Sequence, residues 1–477
     1  MAYYIDTVNN PTQWKLTDSI ILVEKEQPAP ATIGEGDGRV GIVGQFPWGA
    51  PHVLHEPLSS KQLQDLLFGE VEDPEAWGGY RALAGKRWGK LYLVRVEADD
   101  AVAASRTIAG GTPEDIFKAT AKYKTSAGNQ IKMKFTQVSA DVFDLEFQWG
   151  NQTRKYAALD RATTAFAGID DDWVDLEWLD ADTSEALPAS DSDFVALSGG
   201  SDGTLVATDW SGSDSITKGL RVLRQMPNRG VVFAAEYTSA AWLTALVSHC
   251  IVKDCKGVAL ADDGDVFADA VTAAGGIASE FVNLMGHRVK QYVEGVLTDV
   301  DLAPFYASVF AAIDPSESCA QKRWGDQFLT EIKGVVGDAL LEREFWIEAD
   351  QAGMIMLERM SNGNYKFHMD ITSDTTPGKT SSLRRRMHSH VNALLAIAHE
   401  PFANTKPTDT VIRRQTSAVT RSLNAMIDDE LIEDYTHELI ARDGSGTTWK
   451  TKVKLWGEQR YIINTTEVGE NVVIATE

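Results

Sequence analysis

The chain has 477 residues, of which 43 % are hydrophobic and 24 % are charged, and its formal net charge is −24. This composition predicts a large core divided into two to four domains. Three cysteines exclude a disulfide framework, and the acidity argues against general nucleic-acid binding. No apolar run approaches the roughly 18 to 20 residues of a membrane span, and no signal-peptide pattern opens the chain. We therefore expect a protein kept in the cytoplasm.

The first hundred residues predict an arm followed by an α/β layer. Residues 1–19 have the pattern of a short strand and a turn, without a helix. Apolar runs at Ile20–Val23 and Val40–Val43 predict buried strands. Ser59 is predicted to cap a helix that Gly69 ends. A second helical stretch at residues 80–88 leads into a strand at 91–96, and this order of elements is typical of an α/β layer.

From about residue 107 to 196 the pattern changes to alternating strands, which predicts a β-rich insertion. The segment Asp160–Asp214 carries fourteen acids and one base. We interpret it as a highly solvated outer surface that repels copies of itself. The α/β pattern then resumes at Leu197, with helices predicted over residues 214–226 and 239–252 and strands over 231–235 and 258–261.

The segment Gly378–Ser422 is basic, with eight Lys or Arg against two acids. Its apolar residues recur at helical spacing on both sides of Pro407, which predicts two amphipathic helices. If the first helix begins near Ser381 or Ser382, its opening turn carries three arginines, where the helix dipole disfavours each cation by about 0.3 to 1 kcal/mol. A negatively charged partner would offset that cost. The alternative is a basic face that balances acids of the same fold.

Two apparent nucleotide-binding motifs fail on context. Gly36, Gly38 and Gly41 match G-x-G-x-x-G, but a strand follows them where the dinucleotide fingerprint requires a helix. Residues 378–380 resemble the end of a P-loop, but Ser373 stands where its first glycine should be. Neither motif predicts a cofactor.

Two apparent metal motifs fail as well. His388 and His390 lie at i and i+2, so they point to different sides of a helix. Residues 170–172 are three consecutive aspartates without the spacing of a calcium loop, and we interpret them as solvated acids. No catalytic set of Ser, His, Asp or Cys stands out. The sequence therefore predicts neither a metal site nor an enzyme.

Six stretches, in order, resemble the tail sheath proteins of contractile phage tails and R-type pyocins. The opening of that family resembles Val40–Pro51 (VGIVGQFPWGAP), Phe68-Gly69 and Leu91–Val96 (LYLVRV). The start of its inserted domain and the return to its core resemble Phe117–Phe135 and Leu197–Thr204 (LSGGSDGT). The end of the core resembles Pro304–Asp314 (PFYASVFAAID). Beyond these six, Leu431–Glu433 and Val453–Arg460 lie where the family's C-terminal domain and final strand belong. The family's short Pro-Gly opening is missing from Met1–Leu22.

The resemblance implies a multidomain protein of the α/β and α+β classes. Its α/β core would carry a β-rich inserted domain and an α+β C-terminal domain, with terminal arms that form strands between subunits. The implied division is an N-terminal arm at 1–19, core at 20–106 and 197–372, an outer inserted domain at 107–196, a tube-facing domain at 373–457 and a strand arm at 458–477.

The implied function is that of a non-enzymatic structural subunit of a virion tail. Six subunits would form a ring, and stacked rings would surround the tail tube and contract to drive it through the host envelope. The partners would be further copies of the chain, the tail tube protein, and the baseplate and tail terminator proteins, with no nucleic acid, membrane or cofactor. Alternatives are the sheath of a pyocin or type VI-like injection machine and an α/β hydrolase with a β-rich binding insertion.

Specific residues follow from the resemblance. The tube-facing surface is predicted to consist of Arg384, Arg385, Arg386, Arg413, Arg414 and Arg421. The strands shared between subunits are predicted to include Tyr3, Tyr4, Ile5, Tyr461, Ile462, Ile463, Val472, Val473 and Ile474. Cys250 is predicted to be buried, whereas Cys255 and Cys319 are predicted to be exposed and to be candidates for a disulfide between subunits.

Overall fold

The structure is a computed structural model that describes residues 14–15, 21–22, 38–110, 115–162, 164–180, 186–213, 215–262, 266–337, 343–402, 405–442 and 447–455. Contacts divide the chain into two compact units, residues 1–389 (unit 1) and residues 390–477 (unit 2). The predicted terminal strands, at residues 3–5, 461–463 and 472–474, lie outside the described residues.

The first part of unit 1 follows the predicted order of elements. It contains β1 (Trp14–Lys15), β2 (Ile21–Leu22), β3 (Arg39–Gly44), β4 (Leu54–His55), α1 (Ser60–Leu63), α2 (Gly78–Leu83), β5 (Arg87–Trp88) and β6 (Lys90–Arg95). The Ser59 hydroxyl accepts a hydrogen bond from the Gln62 N–H at 3.2 Å, which confirms the predicted cap. Gly69 ends the helical segment with φ of 59°. The predicted helix over 80–88 ends instead at Leu83, because residues 87–88 pair with β2.

Residues 105–196 are built mainly from strands, as their alternating pattern predicts. They contain β7 (Ser105–Ala109), β8 (Asp115–Ala121), β9 (Lys132–Gln137), β10 (Val142–Trp149), β11 (Gln152–Asp160), β12 (Val174–Trp178) and β13 (Val195–Ala196). These strands form two sheets in the orders β11-β10-β9-β13 and β12-β8-β7. Alternate residues of β10, from Phe143 to Trp149, are fully buried, as expected of a strand with one face on a core.

The acidic segment is not solvated throughout, and that part of the prediction is wrong. Asp171 is 2 % exposed, and its carboxylate accepts hydrogen bonds from the N–H groups of Trp173 and Val174 at 2.6 and 3.1 Å. Asp180 and Asp209 are also buried, the latter against the Lys218 ammonium at 2.8 Å. These acids are part of the folded structure, because a buried carboxylate is stable only where donors satisfy it.

The α/β layer resumes after the insertion. It contains α3 (Ala207–Ser211), β14 (Val231–Ala234), α4 (Ala240–Lys253), β15 (Lys256–Leu260), α5 (Phe267–Ala274) and β16 (Val282–Met285). The helix predicted over residues 214–226 is wrong in type, since residues 219–225 form a 3₁₀ helix. The helix predicted over residues 239–252 is confirmed as α4, which Ser239 caps by accepting from the Trp242 N–H at 3.1 Å.

Unit 1 continues through a hairpin and several short elements. These are β17 (Arg288–Val293), β18 (Val296–Asp301), α6 (Ala303–Ala312), α7 (Lys322–Phe328), β19 (Ile332–Val335), α8 (Arg343–Ala352), β20 (Met354–Ile355), β21 (Leu357–Arg359) and β22 (Tyr365–Phe367). The β17–β18 turn has positive φ at Glu294 and Gly295, 47° and 81°, the signs that a two-residue type I′ turn requires. The hairpin forms a three-stranded sheet with β19, in the order β18-β17-β19, so β18 is an edge strand of this sheet.

A seven-stranded sheet forms the centre of unit 1, in the order β20-β16-β15-β14-β3-β6-β4. Its strands are parallel except for β4. Residues alternate between two hydrophobic clusters along each central strand. Val231 and Phe233 of β14 join the cluster that contains α6, whereas Val232 and Ala234 join the cluster that contains α4. The helices therefore cover both faces, as the sequence predicts for an α/β layer.

The basic segment forms two helices, as predicted. They are α9 (Ser382–His399), within which the division between the units falls, and α10 (Asp409–Asp428). Unit 2 ends, in the described residues, with the hairpin of β23 (Asp434–Arg442) and β24 (Thr447–Lys454). Its core joins Val391 and Leu394 of α9 to Val419 and Leu423 of α10. Among the described residues, no helix combines the length and apolar character that crossing a membrane requires.

Candidate functional site

The first turn of α9 carries the three predicted arginines, and unit 1 itself offsets the cost of two of them. The Ser381 hydroxyl accepts a hydrogen bond from the Arg384 N–H at 3.1 Å, which caps the helix. Cations in this turn face the positive end of the helix dipole. Each guanidinium therefore needs a compensating partner, and the structure places different partners around each of the three.

Arg386 is a buried structural residue and is only 5 % exposed. Its guanidinium donates hydrogen bonds to the carbonyl oxygens of Phe310 and Ile313 at 2.9 and 2.7 Å, and it lies 4.3 Å from the centroid of the Phe310 ring. These carbonyls lie at the C-terminal end of α6, where helix carbonyls lack partners within the helix and the dipole is negative. The prediction that Arg386 faces a tube is therefore wrong.

Arg385 is paired within the same unit. Its guanidinium lies 2.8 Å from the Asp254 carboxylate and 3.5 Å from the Glu280 carboxylate, and its side chain is 12 % exposed. It also lies over the Phe281 ring, 3.9 Å from the centroid. Two acids and an aromatic face satisfy this cation. The alternative that the sequence left open, a basic face balancing acids of the same fold, describes Arg385 correctly.

A buried polar network fixes the start of α9 beside these arginines. The Tyr306 hydroxyl donates to the Asp370 carboxylate at 2.6 Å, and the Asn283 amide donates to Tyr306 and to the Ser382 hydroxyl at 2.9 and 3.1 Å. Asp370 also accepts from the Cys319 N–H at 2.8 Å. Burial, followed by the Asp370 charge, raises the pKa of Tyr306 well above its usual value. The network thus holds Ser382 in place, and its members are at most 4 % exposed, too little for a substrate to reach them.

Arg384 is the exposed member of the three. Its guanidinium donates to the Gly378 carbonyl at 3.0 Å, and it forms no ion pair with another described residue. Of the arginines in the first turn of α9, it alone presents its charge to solvent. The sequence could not separate it from its two neighbours, because consecutive helical residues differ by 100° in direction and the partners come from distant elements.

In unit 2, α10 presents a second set of arginines. Its buried face consists of Gln415, Val419, Leu423 and Met426. Arg413, Arg414 and Arg421 are exposed, and none forms an ion pair with another described residue. Arg414 and Arg421 are seven residues apart, about two helical turns, and therefore lie on one side of α10. This helix therefore carries a positive surface that the described part of unit 2 does not neutralise.

The β23–β24 hairpin is a feature that the sequence reading missed. The two strands pair only with each other in the described part of the chain, so both outer edges of this sheet are unpaired there. Lys450, Lys452 and Lys454 alternate on its exposed face. The inner face stacks the His437 ring on the Trp449 ring, with centroids 4.7 Å apart. The signal was present as two alternating runs around the turn-forming residues Asp443-Gly444-Ser445-Gly446.

The three cysteines are all buried and free. Cys250 is buried as predicted, but Cys255 and Cys319 are only 4 % and 2 % exposed, so the prediction that they are exposed is wrong. Cys255 packs in the cluster of α4, and Cys319 in the cluster of α6. Burial raises the pKa of the Cys319 thiol well above its usual value. Neither thiol is placed to form a disulfide between folded subunits.

The described residues contain no group of three or more His, Cys, Asp or Glu side chains arranged to hold a metal ion. His388, one of the two histidines of the apparent metal motif, lies 3.0 Å from the Arg385 guanidinium. Burial, followed by the nearby Arg385 charge, lowers the pKa of His388. A single imidazole beside a guanidinium is a structural contact, and within the described residues it belongs to no set of metal ligands.

Comparison with known proteins defines the class of fold. No protein-family model and no curated protein matches the chain. Among solved structures, it is similar to the sheath tail protein of Desulfitobacterium hafniense, at 16 % identity and TM-score 0.64 over 91 % of this chain and 100 % of that one. It is also similar to the sheath tail protein of Listeria innocua, at 18 % identity and TM-score 0.58 over 88 % and 96 %.

A third similar structure is the helical sheath of the anti-feeding prophage in its contracted state, at 10 % identity and TM-score 0.55 over 97 % of this chain and 99 % of that one. The fold is thus that of these sheath tail proteins and of the anti-feeding prophage sheath. The resemblance inferred from the six sequence stretches is confirmed at the level of the fold.

Proposed function

We propose that this chain is the sheath subunit of a contractile phage tail, which polymerises as stacked six-subunit rings around a tail tube and contracts to drive the tube through the host envelope. The observation that carries this proposal is the match to sheath folds over nearly the full length of both chains. The role is structural and requires no cofactor. Its partners are other copies of the chain, the tube protein, and the baseplate and terminator proteins.

The arginines of α10 support a contact with an acidic tube. Arg413, Arg414 and Arg421 are exposed and have no acidic partner among the described residues, in a chain of net charge −24. Exposed ion pairs contribute about 0 to 1 kcal/mol each. Many weak contacts can be released at every subunit on contraction, whereas a large dry apolar contact could not. Arg384 is proposed as a further tube contact, and Arg385 and Arg386 are removed from the set.

The β23–β24 hairpin supports the proposed exchange of terminal strands. A sheet edge with unpaired N–H and C=O groups is a template for a strand from another chain. We propose that a terminal segment of a neighbouring copy, residues 3–5, 461–463 or 472–474, adds to one of these edges. Main-chain hydrogen bonds would keep subunits connected while they swing relative to one another.

The test is a triple charge reversal on α10 with a matched control. Subunits carrying Arg413→Glu, Arg414→Glu and Arg421→Glu are expected to fold, and to form contracted sheath without tubes, but not to coat tubes at low salt. The control reverses Lys61, Lys132 and Arg359, which are exposed elsewhere on unit 1, and it is expected to coat tubes normally. Wild-type coating should weaken at 1 M salt, where the Debye length is about 3 Å.

Two results would contradict the proposal. If the α10 reversal coats tubes as well as the control does, α10 does not contact the tube. If purified wild-type protein forms no tubular or helical assembly by negative-stain microscopy, with or without tubes, the sheath function itself is wrong.

A sheath of a related injection machine, such as a pyocin, is the second candidate. The chain is similar in fold both to the sheath tail proteins and to the anti-feeding prophage sheath, so the fold is compatible with either candidate. Fold does not fix biological context. Purified particles that contain this subunit together with a DNA-filled head would support the phage tail, and headless particles would support the injection machine.

A further inference from the structure

Unit 1 carries an exposed apolar surface at the C-terminal end of α4. Ile251 and Val252 are 55 % and 60 % exposed there, although large aliphatic side chains are usually buried. They precede β15, and the exposed Gly275 and Gly276 follow α5 and precede β16. Because β15 and β16 are parallel neighbours, the ends of both helices lie at the same edge of the sheet. We call this region the α4 surface.

The α4 surface is electrically neutral in an acidic protein. The nearest acids along the chain are Asp254 and Glu280, and the Arg385 guanidinium pairs with both, at 2.8 and 3.5 Å. The remainder of α4 contains one other charged residue, Lys253. In a chain of net charge −24, acidic surfaces of two copies repel each other. A neutral apolar surface is where a second copy can approach without that cost, and the cores of interfaces are depleted of charge.

A second exposed apolar surface lies on the β17–β18 hairpin. Tyr292 and Leu297 are 51 % and 47 % exposed, and Val296, which lies opposite Val293 on the other face beside the turn, is 57 % exposed. Tyr292 and Leu297 are directly opposite each other in the hairpin, so they share one face. The adjacent cross-strand pair on that face is Lys290 with Asp299, whose charges are opposite. We call this region the hairpin surface.

The two surfaces belong to opposite sides of the central sheet. The α4 helix packs into the cluster on one side through Trp242, Leu243 and Leu246. The hairpin packs into the cluster on the other side through Val289 and Val293. Because the α4 surface and the hairpin surface belong to opposite sides of the sheet, they cannot meet within one copy. They can meet between successive copies in a head-to-tail contact, which produces rings or helices and does not close as a dimer.

We propose that the α4 surface of one copy packs on the hairpin surface of the next copy, as a lateral apolar contact of the assembled sheath. This proposal rests on the proposed function. Alone, the contact is small, but repetition along a lattice multiplies a weak contact into a stable one. It is separate from the strand exchange at β23–β24 and from the basic surface of α10.

Cysteine crosslinking tests the contact directly, since the three native thiols are buried. The double variant Val252→Cys, Leu297→Cys, assembled and oxidised mildly, is expected to give a ladder of disulfide-linked multimers on non-reducing electrophoresis. Each single variant should stay monomeric on the gel. A double variant that assembles but remains monomeric on the gel, like the single variants, would overturn the proposal.

Charge substitution gives an independent readout. Val252→Glu and Leu297→Glu should each reduce assembly at least tenfold, as should both together. Val252→Lys combined with Leu297→Glu should restore assembly, because the new charges attract. The control is Val138→Glu, at a residue that is 59 % exposed in the insertion, and it should assemble normally. Equal assembly of all variants refutes this contact, whereas failure of the wild type to assemble refutes the sheath function instead.

Discussion

Replacing Arg386 tests whether this arginine stabilises the fold or contacts another protein. In Arg386→Ala, the carbonyls of Phe310 and Ile313 lose a buried donor that lies 2.9 and 2.7 Å away. Hydrogen bonds to charged groups contribute about 1.5 to 3 kcal/mol each, and the contact with the Phe310 ring contributes about 0.5 to 2 kcal/mol. The desolvation cost of a buried guanidinium, several kcal/mol, is recovered on removal. We therefore expect a net loss of about 2 to 4 kcal/mol of unfolding free energy.

The assay is urea denaturation of purified subunits, followed by far-ultraviolet circular dichroism. Arg384→Ala is the matched control, because the side chain of this exposed neighbour donates to the Gly378 carbonyl and forms no ion pair with another described residue. Its loss should change stability by less than about 0.5 kcal/mol. Arg386→Lys should fall between the two, since an ammonium keeps the charge but loses the planar fork. If Arg386→Ala is as stable as Arg384→Ala yet fails to coat tubes, Arg386 is an interface residue and our reasoning is wrong.

Three further predictions concern unit 1. Gly69→Ala should destabilise the chain by more than Gly168→Ala, because both have positive φ but a Cβ at Gly69 would lie 2.0 Å from the Trp149 ring, whereas Gly168 has nothing within 4 Å; thermal melting compares them. Burial lowers the pKa of His287 to about 4, so its contribution to stability is present above about pH 6.5 and lost as pH falls to about 4, and His287→Gln should flatten unfolding curves in that window. All three cysteine thiols should react with a thiol reagent only after unfolding, and non-reducing electrophoresis of particles should show monomer alone.

Local patterns predicted the elements whose causes lie within a few residues. Ser59 and Ser239 cap helices because a hydroxyl can reach an N–H three residues later. The run at residues 40–43 forms a buried strand because an apolar segment rich in β-branched residues suits a sheet that helices cover on both sides. The amphipathic spacing around Pro407 likewise predicted α9 and α10. The order of these elements carried the resemblance to sheath proteins, and the fold agrees with it.

The tertiary structure alone decided the role of each charge. Arg384, Arg385 and Arg386 are consecutive and chemically identical, yet one is exposed, one is paired with Asp254, and one is buried against the end of α6. The partners of the last two lie between 73 and 131 residues away in the chain, beyond the range of any local pattern. The burial of Cys255 and Cys319 was hidden for the same reason. Sequence periodicity reports which face of an element is apolar, whereas burial of a polar group depends on which distant groups fold against it.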